Sequence, residues 1–465
     1  SGLDYNVAGP NIHLYIMAMS DGATFISTSA IVGFGGSAAQ LGFSLLWLTV
    51  CNIGVGIFIA FVFYGKRTRR MGLNLDAHTF PEFMGRRLDS VFIQRLMGIT
   101  IFLAMPLYIA AVLIGASRIL EGLMNINYDL AVMLFTILVA AYVIMGGLKG
   151  VMYTDALQGS LMFAGMILLL FSVYYNLGGV TRAHEALTSL APSMPEGLRK
   201  IGLAGWTVSP SFNSPLWWSV YSSLVMGVGI GVLAQPQLVV RYMTVKSNKE
   251  INRAVVIGGV FILAMTGTAF VVGALSNVYF MKTGGRIAMA AAGGNVDSVI
   301  PKFIADFMPG WFGYLFMLVI LSAGMSTLSS QFHTMGTSVG RDVFADGRNP
   351  DGSAKSREVI VTKLGIVFGL IVTVILSYRL GGSVIARATA IFFGLMGSSF
   401  LAPYTAAIYW KKLTRRGAIA GMATGLAVSL FSFLFLHGAE STVFGLARLL
   451  VGRDALLTGI FAFVD

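Results

Sequence analysis

The stretch that decides the fold is SAGMSTLSSQ at residues 322–331, which lies within a long apolar run. Because an α-helix advances about 100° per residue, Ser326, Ser329 and Ser330 fall on one narrow stripe, with Thr327 at its edge. Hydroxyl and carbonyl oxygens are hard ligands that suit a hard cation such as sodium. The alternative is that each hydroxyl bonds the carbonyl one turn back, as Ser and Thr commonly do in membrane helices.

The composition predicts an all-α polytopic membrane protein. Of the 465 residues, 56% are hydrophobic and 11% are charged, whereas a soluble domain carries about 25% charged residues. The apolar runs are continuous and do not alternate as the strands of a membrane barrel do. The net charge of +12 resides in short loops between these runs, so nucleic acid is not expected as a partner.

Eleven apolar runs reach the length of about 20 residues that a spanning helix needs. They cover roughly 11–36, 43–65, 92–122, 128–147, 151–176, 215–240, 254–280, 311–340, 359–380, 384–410 and 417–437. Most Lys and Arg residues fall in alternate loops, which predicts that residue 1 is cytoplasmic. The chain starts without methionine and stops within an apolar run, so we expect further spans before and after it.

Two of these spans contain helix-breaking residues. Ser-Asp-Gly at 20–22 interrupts the first span, and glycines at 227, 229 and 231, followed by Gln235-Pro236, interrupt the sixth. Broken helices offer free carbonyls to ions, but a capped surface segment or close helix packing at the glycines would explain the same residues. Breaks five spans apart indicate an inverted repeat, with repeat one at about 11–176, repeat two at about 215–410 and additional helices at about 417–465.

The fifth span begins with an acid, Asp155, within YTDALQ at 153–158. Asp155 lies either at the membrane interface or in an oxygen cage with the serine stripe. Residues 79–83 predict the start of a short amphipathic helix at the membrane interface. No phosphate-binding loop, nucleophile elbow or dinucleotide fingerprint is present in the sequence, so an enzyme is not predicted.

The sequence resembles the solute:sodium symporter family, which includes transporters for proline, galactose, sialic acid, pantothenate and small monocarboxylates. The resemblance rests on GMSTLSS at 324–330, YVIMGGL at 142–148, YTDALQ at 153–158 and TRRGAIAG at 414–421. It implies an inverted repeat of five plus five transmembrane helices, with broken first and sixth helices and extra flanking helices.

The resemblance also implies one or two coupling sodium ions (Na+). The first site would use the carbonyls of Met19, Gly22 and Ala323 and the hydroxyls of Ser326 and Thr327. A second site, found in some members, would use Asp155, Ser326, Ser329 and Ser330. Protonation of Asp155 would permit proton coupling instead.

Positions that face the solute in the family correspond to Phe25, Tyr108, Val228 and Val232 here, with hydroxyls available from Thr24, Ser27 and Thr28. Ordinary helix packing is the alternative explanation for the two aromatic residues. We identify no arginine at pocket depth that would hold a carboxylate. Half-helix N-termini favour anions, however, and a small organic acid or an amino acid is favoured over a sugar.

The predicted function is sodium-coupled secondary active symport, which imports a small organic solute by alternating access. The partners would be that solute, sodium ions and the lipid bilayer, and the location a plasma membrane, such as a bacterial inner membrane, crossed many times. The alternatives are a nutrient-sensor domain of a signalling protein that uses the same fold, and a proton-coupled symporter.

Overall fold

The computed structural model describes residues 26–245, 247–344, 352–380, 382–436, 440–442 and 445–456, with only the backbone described for 142, 144–153 and 352–357. Helices and short loops make up this part of the chain, which contains no strand. Nine of the described helices are long and apolar enough to cross a membrane: Ser29–Asn74, Val91–Met124, Thr154–Asn176, Pro215–Ala234, Asn248–Gly284, Gly310–Phe344, Glu358–Arg379, Ile385–Tyr409 and Arg415–Leu436. The predicted all-helical membrane fold is confirmed.

The first span is described from residue 26 onward, so the predicted break at 20–22 lies outside the described residues. A π-helical segment, Ser29–Gly33, leads into the α-helix Phe34–Leu41, which ends five residues later than predicted. The chain then turns at Gly42, whose φ is +67°. A Cβ at Gly42 would lie 2.0 Å from the carbonyl oxygen of Trp206, so only glycine fits this turn.

The second span follows without interruption, as Leu46–Cys51, the π-helical Asn52–Gly65 and Lys66–Asn74. The third span is the single helix Val91–Met124. The seventh consists of Asn248–Ile262, Leu263–Gly267 and Thr268–Gly284, and the ninth is Gly352–Arg379. The tenth consists of Ile385–Met396, Gly397–Leu401 and Ala402–Tyr409, and the eleventh of Arg415–Phe431 and Ser432–Leu436.

The fourth and fifth predicted spans lie on one unbroken helical run, Tyr128–Asn176. A Cβ at Gly324 would lie 2.8 Å from the ring of Phe135, and one at Gly165 would lie 2.2 Å from Val319. Phe135 and Gly165 thus contact Gly324 and Val319, which lie only about 7.5 Å apart along the eighth span. In a straight helix, residues 135 and 165 would be about 45 Å apart. The run therefore folds back on itself, which gives the two crossings that the sequence predicts.

The sixth span is broken at Gln235. The helical run Pro215–Ala234 ends there, Gln235 is extended with φ −72° and ψ 119°, and a second helix, Pro236–Thr244, follows. Proline has no backbone N–H and disfavours the helical conformation in the residue before it. The two halves of the span are therefore separate helices.

The glycines at 227, 229 and 231 do not unwind, and the prediction that they would do so is wrong. They lie within helical segments. A Cβ at Gly229 would lie 2.3 Å from the Cys51 sulfur, and one at Gly231 would lie 2.4 Å from the Phe393 carbonyl oxygen. Close packing against the second and tenth spans, the alternative interpretation, therefore explains these glycines.

The eighth span lies at the centre of the bundle. Its α-helix Gly310–Thr337 continues as the π-helical Ser338–Phe344 and packs against the third, fifth and ninth spans. Every residue from 326 to 333 is buried, so the serine stripe faces protein and not lipid.

The short helix predicted from residues 79–83 is Phe80–Arg87, capped by the Thr79 hydroxyl, which accepts a hydrogen bond from the Glu82 N–H at 3.1 Å. Its apolar side is covered by protein. Phe80 and Glu82 are buried, and Glu82 pairs with Arg341 at the end of the eighth span at 3.0 Å. The amphipathic pattern reflects packing against protein on the apolar side.

The outer connections also contain helices, which the sequence analysis did not assign. They are Val180–Ser189, Glu196–Lys200, Ala288–Ala291 and Val299–Phe307. A last short helix, Leu446–Val451, follows the eleventh span.

Gly42→Ala tests the turn that ends the first span. We expect a loss of about 3 kcal/mol of unfolding free energy, from left-handed strain and overpacking together. The matched control is Gly285→Ala, where φ is +62° but no atom lies within 4 Å of the added Cβ, so only about 1–2 kcal/mol of strain applies. Thermal unfolding of the detergent-purified variants measures both, and equal losses would contradict the steric explanation.

Candidate functional site

The serine stripe of the eighth span meets the first span just after the predicted break. The Thr327 hydroxyl donates a long hydrogen bond of 3.5 Å to the carbonyl of Ile26. Ser326 is fully buried, and its hydroxyl has no hydrogen-bond partner among the described residues. Ala323, one turn earlier, is also fully buried. Met19 and Gly22, the other predicted ligands of the first sodium site, lie outside the described residues.

The Thr28 side chain holds the first span against the third and eighth spans. Its hydroxyl donates to the carbonyl of Val112 on the third span at 2.7 Å. Its methyl group would lie 3.3 Å from a Cβ at Gly324 of the eighth span. The Thr28 hydroxyl, predicted to be available to solute, is thus engaged in helix packing.

The residues of the second predicted sodium site are brought together, but an arginine binds two of them. Arg241 Nη2 lies 3.1 Å from Asp155 Oδ2 and 3.0 Å from Ser330 Oγ. Ser329 donates to the Ser326 carbonyl at 3.0 Å, which is the back-bonding alternative. Arg241 directly follows the predicted sixth span at 215–240, where a loop charge is expected, whereas its side chain is buried.

The predicted solute-facing residues that are described are all buried. The Tyr108 hydroxyl lies 3.5 Å from the Ser27 hydroxyl and so joins the third span to the first. Val228 and Val232 lie on the outer half of the sixth span. Thr24 and Phe25 lie outside the described residues.

Two phenylalanines of the tenth span complete this region, and the sequence analysis missed both. The ring of Phe392 stacks on Tyr108, with centroids 5.2 Å apart, and Phe393 meets the same ring edge-on at 5.3 Å. Phe393 also packs against the sixth span at Gly231. The aromatic pair therefore connects the third span to the sixth.

Gln331 of the eighth span is a further residue at this level to which no role was assigned from the sequence. It is fully buried, and its amide group lies beside the Tyr108 hydroxyl of the third span. The amide therefore adds a polar group at the level of Tyr108 and Ser27. The sequence itself indicates a polar role for Gln331, because this residue directly follows the serine stripe of the eighth span.

A small cavity lies beside Arg241 and Ser330. The residues that line it include His78, Gln237, Arg241, Thr244, Ser330 and His333. Burial and the nearby Arg341 guanidinium lower the pKa of the His78 imidazole, so this end of the cavity is lined by a neutral ring at neutral pH.

The outer end of the bundle is covered by residues 295–298. The Asp297 carboxylate accepts hydrogen bonds from the N–H groups of Val384 and Ile385, at 2.9 and 3.4 Å, where the tenth span begins. Burial raises the pKa of the Asp297 carboxyl, and the backbone hydrogen bonds oppose this shift. Val296 packs onto Gly36 of the first span. This outer loop therefore joins the first span to the tenth.

Comparison with known proteins identifies the family. The model of the sodium:solute symporter family matches residues 5–425. The chain belongs to this family. The resemblance in the sequence is thereby confirmed, and so is its main implication: the symporter couples movement of a small solute to sodium, as a secondary transporter and not an enzyme. It is a multi-pass membrane protein.

Several curated relatives match the symporter over most of its length. A sodium/pantothenate symporter of Haemophilus influenzae is 26% identical over 461 residues, covering 97% of this chain and 90% of the relative. A sodium/proline symporter of Staphylococcus aureus is 26% identical, covering 97% and 84%. The osmoregulated proline transporter OpuE of Bacillus subtilis is 25% identical, covering 92% and 82%.

Two solved structures show the same fold. A sodium-coupled sialic acid symporter in a substrate-bound, outward-open state gives a TM-score of 0.72 at 20% identity, covering 99% of this chain and 88% of that one. MhsT in complex with L-phenylalanine gives a TM-score of 0.54 at 16% identity, covering 91% and 98%. At these identities the likeness supports the architecture alone.

Proposed function

We propose that the symporter binds its first sodium ion between the first and eighth spans. The ligands are the carbonyls of Met19, Gly22 and Ala323 and the hydroxyls of Ser326 and Thr327. The observation that carries this assignment is the buried Ser326 hydroxyl, which has no partner among the described residues, beside a Thr327 hydroxyl that already reaches the first span. Neutral hard oxygens suit sodium, and weak binding permits release.

Sodium at this position fixes the first span against the eighth. A buried hydroxyl without a partner costs about 1–3 kcal/mol, and a bound cation removes that cost. Binding therefore favours the arrangement in which the two spans meet and the solute site is complete. An inward step of one sodium ion across 100 mV supplies about 2.3 kcal/mol, to which the concentration gradient adds.

A second sodium ion binds at Asp155, Ser326, Ser329 and Ser330 in this proposal. The carboxylate favours a cation more strongly than neutral oxygens do. In this proposal the transporter domain consists of two repeats, at about 11–176 and 215–410. The helices from about 417 onward belong to neither repeat. Rocking of the first, second, sixth and seventh spans against the others moves the sites from one side of the membrane to the other.

The solute we propose is a small organic acid or an amino acid. Ser27, Tyr108 and Gln331 offer two hydroxyls and an amide at one level, and Phe392 and Phe393 supply an apolar wall. Thr24, Phe25, Val228 and Val232 would complete the site. Such a mixture suits a short molecule with one polar end. Relatives that carry proline and pantothenate support this size class, and their bacterial origin supports a bacterial inner membrane.

A thermal-shift screen of purified symporter tests the solute class. Small organic acids, amino acids and sugars, with proline and pantothenate among them, are compared in sodium and in potassium. We expect an acid or amino acid to raise the melting temperature only when sodium is present. A sugar that does so, or stabilisation that is independent of sodium, would contradict the proposal.

Ser326→Ala and Thr327→Ala test the first sodium site. Each substitution removes one ligand, and a contact from a polar group to a charge contributes about 1.5–3 kcal/mol. The sodium concentration that gives half-maximal uptake should therefore rise roughly tenfold to hundredfold. Ser377→Ala is the control, because Ser377 is a buried hydroxyl that bonds the Thr373 carbonyl at 2.9 Å. Unchanged sodium dependence in both variants would reject the site.

Gln331→Leu tests the solute site. Loss of the amide should raise the KM for solute about tenfold, with little change in half-saturating sodium. Thermal stability should change by no more than about 1–3 kcal/mol, because only the contact with the Tyr108 hydroxyl is lost. A lower melting temperature with an unchanged KM would show that Gln331 serves the fold and not the solute.

A further inference from the structure

Arg241 occupies the position where the second sodium ion is proposed to bind. It lies on the inner half of the sixth span, Pro236–Thr244, and only 5% of its surface is exposed. Its guanidinium contacts Asp155 of the fifth span at 3.1 Å and Ser330 of the eighth at 3.0 Å. One guanidinium nitrogen thus contacts oxygens of two residues predicted to be sodium ligands.

We propose that Arg241 is a tethered cation that competes with sodium for the second site. This rests on the proposed second sodium site and adds a residue that sets its affinity. Sodium and a guanidinium carry the same charge and require the same oxygens. If both were bound to Asp155 at once in this buried site, they would repel each other strongly. The Asp155 carboxylate therefore pairs with one cation or the other, and it has a positive partner in both cases.

The position of Arg241 in the chain connects this exchange to movement. The break at Gln235 and Pro236 separates the inner half of the sixth span from its outer half, so the inner helix moves as a unit and carries Arg241 with it. While Arg241 binds Asp155, the inner half is held against the fifth and eighth spans. Sodium that binds Asp155 displaces the guanidinium and releases this helix.

Polar side chains surround the small cavity beside Arg241. Arg241, Ser330 and His333 line it together with His78 near the predicted cytoplasmic end. A displaced guanidinium moves toward the polar groups that line this cavity, which has to widen to admit it. On the return step, Arg241 recaptures Asp155 and expels sodium along the same route.

The test is equilibrium binding of radiolabelled sodium and the sodium-dependent rise in melting temperature, measured on the purified full chain with potassium as the reference. Arg241→Gln keeps a hydrogen-bonding group but removes the charge, and Arg241→Lys keeps the charge but loses the planar fork. We expect sodium affinity at the second site to increase from wild type to Arg241→Lys to Arg241→Gln, with about tenfold or more between the extremes. The sodium-dependent rise in melting temperature should increase in the same order.

The double variant Asp155→Asn/Arg241→Gln is the matched control, because it removes both charges of the pair. It should lose the gain in sodium affinity. If Arg241→Gln cannot be purified, Arg241→Lys alone carries the test and must bind sodium more tightly than wild type. Wild-type sodium affinity in every Arg241 variant that folds, or the same gain in the double variant, would overturn the proposal.

Thr327→Ala separates this proposal from the proposed function. Repeating the series in that background removes a ligand of the first site and isolates the second. If Thr327→Ala weakens sodium binding but all Arg241 variants bind sodium with equal affinity, the tethered cation is rejected and the first sodium site stands. If Thr327→Ala has no effect on sodium binding while the Arg241 series shows the expected order, the first site fails and the competition stands.

Discussion

The structure depends on one constraint, which is that polar groups held at membrane depth must find partners inside the protein. The eighth span concentrates this requirement, because every residue from 326 to 333 is buried and five of these eight carry a hydroxyl or an amide. Thr327 and Ser329 find backbone carbonyls, and Ser330 finds Arg241. Ser326 finds no partner among the described residues, and Gln331 lies beside the Tyr108 hydroxyl. These two define where ligands are expected, so the hydrogen bonding of one helix organises both proposed sites.

The type of the spans could be predicted because it follows from solvation alone. A run of about 20 apolar residues has few alternatives to a spanning helix. The described residues contain nine such helices where eleven runs were predicted, because the first two runs join in Ser29–Asn74 and the fourth is a shorter helix. Proline at 236 likewise fixes a break locally, through its missing N–H. The glycines at 227–231 were misjudged because glycine permits both unwinding and close packing. Only the position of Cys51 and Phe393, which are remote in sequence, decides between them.

The residues of the site that were missed are those whose role depends on remote partners. Arg241 has the appearance of a loop charge in the sequence, since it precedes a basic segment. Its burial depends on Asp155, 86 positions earlier in the chain. Phe392 and Phe393 are ordinary apolar residues until Tyr108 is placed beside them. Single-helix patterns carry no information about which neighbour a side chain meets, so these contacts required the three-dimensional structure.

The loop at 295–298 implies that the two ends of the transport path differ in how readily they open. At the outer end, Asp297 is held by backbone N–H groups at the edge of the bundle, and water can replace each of these bonds at a net cost of about 0.5–1.5 kcal/mol. At the inner end, separation of Arg241 from Asp155 parts two full charges in a dry interior, where solvent offers no such replacement. Opening of the outer mouth therefore costs less free energy than parting of the inner ion pair.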